Sequence, residues 1–327
     1  MAGNITSNIS DTPMWCIHTI DPYNPIRPDS VNPTWTFLAI VNGLFALPTA
    51  GVNALIVWTV FSDEDLRSSP FNVLLGELAV TDMLVGLVVQ PMCSAILGCL
   101  INYCYSPCQV TALFIALVLC NGCTLVTLAL ACAERYLSIE HPNLYNRIVT
   151  GERSQKVAVI SWILTAVYLI TSSIFLNNAH PDLSKGPLMA LVTVCAGTIF
   201  FCCTKVQLTA YRQKRFVAIQ QQVPISQNAM QPEEQVRLRM EMKQACTVTI
   251  LVIMSVLFIT PVIVISALEL TTNQGAKFKF LAAPISFLFF NLQSLVNPTI
   301  LALRLTYIRK GTKNKLVFLR SLFPFGQ

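Results

Sequence analysis

The chain has 327 residues, of which 54% are hydrophobic and 12% charged, with a formal net charge of +6. A soluble domain carries about twice that charge fraction, so most of this surface meets lipid or other apolar helices. No basic cluster is interleaved with base-stacking aromatics, which argues against nucleic acid as a partner, and His18, His141 and His180 show no metal-ligand spacing that would point to an enzyme.

The first residues lack the basic start and apolar centre of a cleavable signal peptide, so the first long apolar run is expected to do the targeting as well. Asn4-Ile5-Thr6 and Asn8-Ile9-Ser10 are glycosylation sequons, which makes Asn4 and Asn8 candidate glycosylation sites on an extracellular tail, residues 1–32. Seven apolar runs follow, at about 33–61, 70–97, 107–140, 153–176, 185–217, 235–270 and 277–303. Backbone groups cannot stay unpaired in lipid, so runs of this length are read as helices. Residues 33–303 are therefore expected to form an all-α, seven-transmembrane helix bundle. Residues 304–327 read as a cytoplasmic tail holding a short amphipathic helix on the membrane surface, with Tyr307, Ile308, Leu316, Phe318 and Leu319 set among Arg309, Lys310, Lys313, Lys315 and Arg320.

Seven spans put the two termini on opposite sides. With the N-terminus outside, only Arg27, Lys185, Lys277 and Lys279 of the 22 Lys and Arg residues fall in outer segments. That asymmetry predicts an extracellular N-terminus in a multi-pass protein of the plasma membrane.

Polar residues inside the runs are the candidate functional groups. Residues 110–133 carry no charge and are followed at once by Glu134, Arg135 and Tyr136. An arginine at that depth depends on its partners; the competing reading is a snorkelling anchor. Asp82 lies mid-span, as do Asn53 and Asn297. With the hydroxyls of Thr124 and Ser294 they are expected to ring one polar cavity for waters or a sodium ion, the candidate metal at Asp82. A purely structural hydrogen-bond cluster is the alternative. Glu77 is a candidate partner for Trp162. Pro261 and Pro298 each remove a backbone donor and mark hinges. Twenty residues before Pro261, about 30 Å at 1.5 Å per residue, stands Glu241. An Arg135–Glu241 pair would lock the third span to the sixth, unless Glu241 pairs along its own helix.

These residues carry a resemblance. Asn53 in the first run, LAVTD ending at Asp82 in the second, ERY at 134–136, Trp162 in the fourth, Pro261 in the sixth and Asn297-Pro298 in the seventh resemble, in this order, the rhodopsin-like (class A) G-protein-coupled receptors over essentially the whole chain. The resemblance implies ligand capture from outside, an outward swing of the sixth span and nucleotide exchange on a heterotrimeric G protein, with Arg135 as the coupling arginine and Asp82 as the sodium-site aspartate. The chain departs from the pattern in several places. Phe258-Ile259-Thr260-Pro261 lacks the tryptophan before the proline, Leu301 replaces the tyrosine of the seventh-span motif, and the fifth span has no central proline. Residues 177–186 lack the usual cysteine, so Cys16 is expected to bond Cys108 or Cys104 in place of that bridge.

The resemblance also locates a pocket among spans three, five, six and seven. Leu117 stands where amine receptors carry aspartate, and Asn291 where opsins carry lysine, which disfavours both ligand classes. Leu117, Val118, Ile259, Val262, Ile263, Ser266 and Phe287, with Asn121 and Asn291 as polar points, favour a neutral, largely apolar small molecule. The implied function is a receptor for such a ligand, acting on a G protein from the lipid bilayer and needing no cofactor. The alternatives are a non-signalling or chemosensory-type atypical receptor and, less favoured, a seven-helix transporter.

Overall fold

In the computed structural model the described residues are 29–102, 104, 107–179, 186–220, 232–271 and 276–322. Asn4, Asn8 and Cys16 lie outside them, as does the side chain of Ser266. Among the described residues, seven helices are long and apolar enough to cross a membrane. The first span is Asn32–Ser62, the third Pro107–Glu140, the fourth Gly151–Ala179, the fifth Gly186–Gln220, the sixth Pro232–Thr271 and the seventh Ala276–Arg304. The second, Pro70–Ile101, is helical throughout but contains one wide turn at Val85–Val89, just before Pro91. Short helices Glu64–Ser68 and Pro142–Ile148 connect spans one to two and three to four, and a terminal helix, Thr306–Leu322, follows the seventh span.

Spans one and two approach closely because Gly86 has no side chain. A Cβ there would sit 2.5 Å from Ala50 N and 2.9 Å from Ala46 O. Small residues that let backbones meet are the usual means of packing helices in lipid, where apolar burial gives no preference for a neighbour over a lipid tail.

The core has two stacked halves. At the end that carries Arg135, Ile56, Phe71, Leu75, Leu128, Leu251 and Leu301 pack together with Ile308 of the terminal helix. At the far end Trp35, Leu38, Val89, Cys93, Leu113 and Leu117 do so, with Phe287 and Leu288 against them.

The seventh span keeps its helix through Pro284 and Pro298. Each proline leaves without a donor the carbonyl four residues earlier, and in lipid another group must supply one. The first span does so twice. Trp35 Nε1 donates to Phe280 O at 3.1 Å, and Asn53 Nδ2 donates to Ser294 O at 3.0 Å. These two bonds fix spans one and seven in register along most of their length.

Candidate functional site

At the Arg135 end the third span presents a guanidinium that is 3% exposed. Its Nε and Nη2 donate to the two carboxylate oxygens of Glu134, the preceding residue. Its Nη1 donates to Gln244 Oε1 on the sixth span, and the Phe71 ring lies 4.6 Å from the guanidinium carbon. A bidentate carboxylate neutralises a buried arginine better than any single contact. Glu134 is itself held: Tyr145, on the helix Pro142–Ile148, donates to Glu134 Oε1 at 2.6 Å. Burial and the Glu134 carboxylate push the Tyr145 phenol up, so it stays a donor. Tyr136 turns away, its ring centroid 5.6 Å from that of His141 and 5.5 Å from that of Phe201.

The direct Arg135–Glu241 ion pair does not form. Arg135 is satisfied by its neighbour and by Gln244, and Glu241 reaches it only as a through-space charge. Helical rise placed Glu241 at the right depth, but Gln244, one turn nearer the membrane on the same face, makes the contact. Neither Gln244 nor Tyr145 was singled out from sequence. A signal for Tyr145 was present, since Pro142 is a helix-starting proline three residues before it.

In mid-bundle the sequence-derived polar set comes together, with one member displaced. Asn297 Nδ2 donates to Asp82 Oδ2 at 2.8 Å, and Ser294 stands one turn earlier on the same helix. Asn53 adds its bonds to Ser294 O and to Thr49 O of its own helix. Thr124 donates to Thr81 Oγ1 at 2.9 Å rather than to Asp82. Asp82 is fully buried. Asp82 Oδ1, Asn53 Oδ1, Asn297 Oδ1 and Thr49 Oγ1 are buried oxygens with no protein partner. Trp162 Nε1 donates to Thr127 Oγ1 at 2.8 Å and not to Glu77. The Glu77–Trp162 contact is thus replaced, because a hydroxyl one helix away offers the indole a neutral acceptor.

The pocket set divides. Leu117 and Val118 are buried; Asn121, Ile259, Val262 and Phe287 are half-buried. Ile263 is 54% exposed and faces outward, so it does not line an interior pocket. Its neighbour Val262 occupies the inner side of the same turn. Asn121 donates back to Leu117 O at 2.8 Å. Asn291 donates to Asn42 Oδ1 at 2.6 Å, which makes it a tie to the first span. Among the outer cysteines, Cys108 is disulfide-bonded, while Cys104 and Cys99 are free thiols. The Cys104 alternative for the bridge is therefore excluded, and Cys16 lies outside the described residues.

The seven-span bundle and the order of its marked residues define a class. The description "7 transmembrane receptor (rhodopsin family)" matches residues 52–301, well over half of the chain. The chain belongs to that family and is a multi-pass membrane receptor. Among curated proteins it is similar to the adenosine receptor A2b of Gallus gallus, 32% identical over 145 residues that make up 44% of this chain and 41% of that protein. It is also similar to the adenosine receptor A2a of Equus caballus, 30% identical over 39% of this chain and 30% of the relative, and to that of Homo sapiens, 30% identical over 38% and 30%. The chain thus spans well under half the length of these curated relatives.

Proposed function

We propose that this receptor lies in the plasma membrane with its N-terminus outside, binds a largely apolar small molecule from the extracellular side and accelerates nucleotide exchange on a heterotrimeric G protein. One observation carries the reading: a buried arginine at the end of the third span, closed by a contact to the sixth. Moving the inner end of the sixth span would withdraw Gln244, leave Arg135 with Glu134 alone and open a surface for a cytosolic partner. The similarity to adenosine receptors adds adenosine, neutral but more polar than an apolar wall favours, as a second ligand class to test. Leu117, Val118 and Phe287 supply the apolar wall and Asn121 a polar point.

The mid-bundle cluster suits sodium. It offers one carboxylate and several unpartnered neutral oxygens, a hard donor set of low charge. No group of three His, Cys, Asp or Glu exists among the described residues to favour a transition metal. Asp82, Asn53, Ser294 and Asn297 would hold the ion, and it would supply a positive charge beside the buried carboxylate. Thr124 would stand one hydroxyl further away.

The decisive variant is Arg135→Ala. Nucleotide exchange is measured on membranes carrying a promiscuous G protein, with and without adenosine, beside surface expression of the protein. Exchange is expected to fall to the level of membranes lacking the receptor while surface expression stays near normal. Unchanged exchange overturns the reading.

A further inference from the structure

The outer end of the second span holds two cysteines outside the Cys108 bridge. Cys99 lies in the last turn of the span, and Cys104 follows it by five residues. Both are free thiols, while Cys108 is already bonded.

The chain turns back here rather than running straight on. Asn102 donates twice to Gly98 O, from its backbone N at 3.2 Å and its Nδ2 at 2.9 Å, which closes the helix end. Two residues later Cys104 N donates to Cys99 O at 2.9 Å. That bond limits how far apart the two cysteines can stand. A carbonyl oxygen lies about 2.4 Å from its own Cα and an amide nitrogen about 1.5 Å from its own, so the two Cα atoms are at most about 6.8 Å apart. Bends at the oxygen and the nitrogen shorten that further. A disulfide spans Cα separations of about 4.4–6.8 Å. Cys99 is half-buried and packs on the outer half of the core with Leu100, whereas Cys104 is exposed. Cys93, the next thiol down the span, is 1% exposed and belongs to the core.

Compartment adds the driving force. With the N-terminus outside, this end of the second span meets the oxidising exterior, where paired thiols persist as disulfides. We propose that Cys99 and Cys104 are a disulfide site: at the cell surface they close a six-residue ring that pins the first outer turn to the outer half of the core. The step is exchange with a disulfide of the oxidised-glutathione class. One cysteine, as thiolate, attacks that disulfide, forms a mixed disulfide and releases one thiol. The other cysteine then attacks the first cysteine's sulfur, forms the ring and releases the second thiol. The two cysteines lose two protons and two electrons, and the incoming disulfide gains them. Because Cys104 is exposed, the ring is of the kind that external thiols and reductants open again.

This inference rests on the orientation proposed above, so the experiment reads the bond and the side of the membrane separately. Cells carrying the full-length protein are blocked with N-ethylmaleimide, and the plasma-membrane protein is cut with chymotrypsin without reductant. Chymotrypsin cuts after Leu100 and Tyr103, between the two cysteines, and after Tyr105, between Cys104 and Cys108. A Cys99–Cys104 bridge is expected as two joined peptides that part on reduction, and Cys104→Ser should lose the joined species and leave Cys99 alkylated. In a second arm, intact cells receive a membrane-impermeant phosphine and then an impermeant maleimide, which should open the ring and label Cys104 from outside.

Alkylated Cys99 and Cys104 in the native plasma-membrane protein overturn the bridge, as does either one joined to Cys108 instead. If the thiols are free and Cys104 is labelled from outside, the bridge falls and the orientation stands. If the joined peptides are present but open only after the cells are permeabilised, the bridge stands and the orientation falls. Free thiols labelled only after permeabilisation remove both.

Discussion

The seventh and sixth spans both run through interior prolines, and the surroundings of those prolines differ. In the seventh span the carbonyls released by Pro284 and Pro298 are taken by Trp35 and Asn53 of the first span. Asn42–Asn291 and Asp82–Asn297 add further ties from spans one and two. In the sixth span, Gln244, Cys246, Thr249 and Ser255 are linked to Arg135, Arg304, Gln207 and Gln293 in turn, and all four precede Pro261. Around Pro261, Thr260 bonds back to its own helix at Val256 O, and Val256, Leu257, Ile263 and Val264 are each more than half exposed. A bend tied at its freed carbonyl is a fixed part of a frame. A bend facing lipid keeps its freedom, and the helix beyond it is held by whatever grips its end. Spans one, two and seven form the frame, and the sixth is tied to its neighbours by side-chain bonds at Gln244, Cys246, Thr249 and Ser255, on the Arg135 side of its proline.

Asn53→Leu attacks the frame most directly. It leaves Ser294 O without its donor in an apolar interior, and is expected to lower stability by about 1–3 kcal/mol. The check is the thermal midpoint of the purified protein, and a midpoint within error of the native one would remove the distinction between the spans. Asp82→Asn probes the same frame through the proposed ion. Replacing choline chloride by sodium chloride should raise the native midpoint by a few degrees, about 1.4 kcal/mol at ten times Kd. The variant should lose that response, and a response to sodium equal in both proteins would place the ion elsewhere. Leu257→Ala sharpens the comparison from the other side. It is 59% exposed beside Pro261, so its effect on the midpoint should stay within about 0.5 kcal/mol. A cost like that of Asn53→Leu would mean that the sixth span is as firmly packed as the seventh.

The ends of the spans agree with the apolar runs to within a few residues, apart from the second, which continues to Ile101. Of the mid-span polar set, Asn297 meets Asp82 and Asn53 meets Ser294, since such residues have few places to go except one another, whereas Thr124 turns to Thr81. Partner choice was less legible. Helical rise from Pro261 points to Glu241, yet the contact belongs to Gln244 on the same face, because a count over about 30 Å does not resolve a single helical turn of about 5 Å. Ile263 was placed in the pocket for a different reason: in a span that is apolar all round, hydropathy does not tell the lipid face from the inner one.

Composition and the length of the apolar runs by themselves determined a seven-helix membrane protein, and the order of its marked residues determined its family. Both follow from the bilayer, which demands paired backbones and tolerates few charges, so each exception stands out in one dimension. Tertiary structure alone decided which helix caps each proline carbonyl, that a carboxamide rather than a carboxylate closes Arg135, and that Tyr145 of a short connecting helix braces Glu134. Those choices depend on azimuth and distance between rods, and hydrogen bonds made across a hundred residues or more leave no periodic trace along the chain.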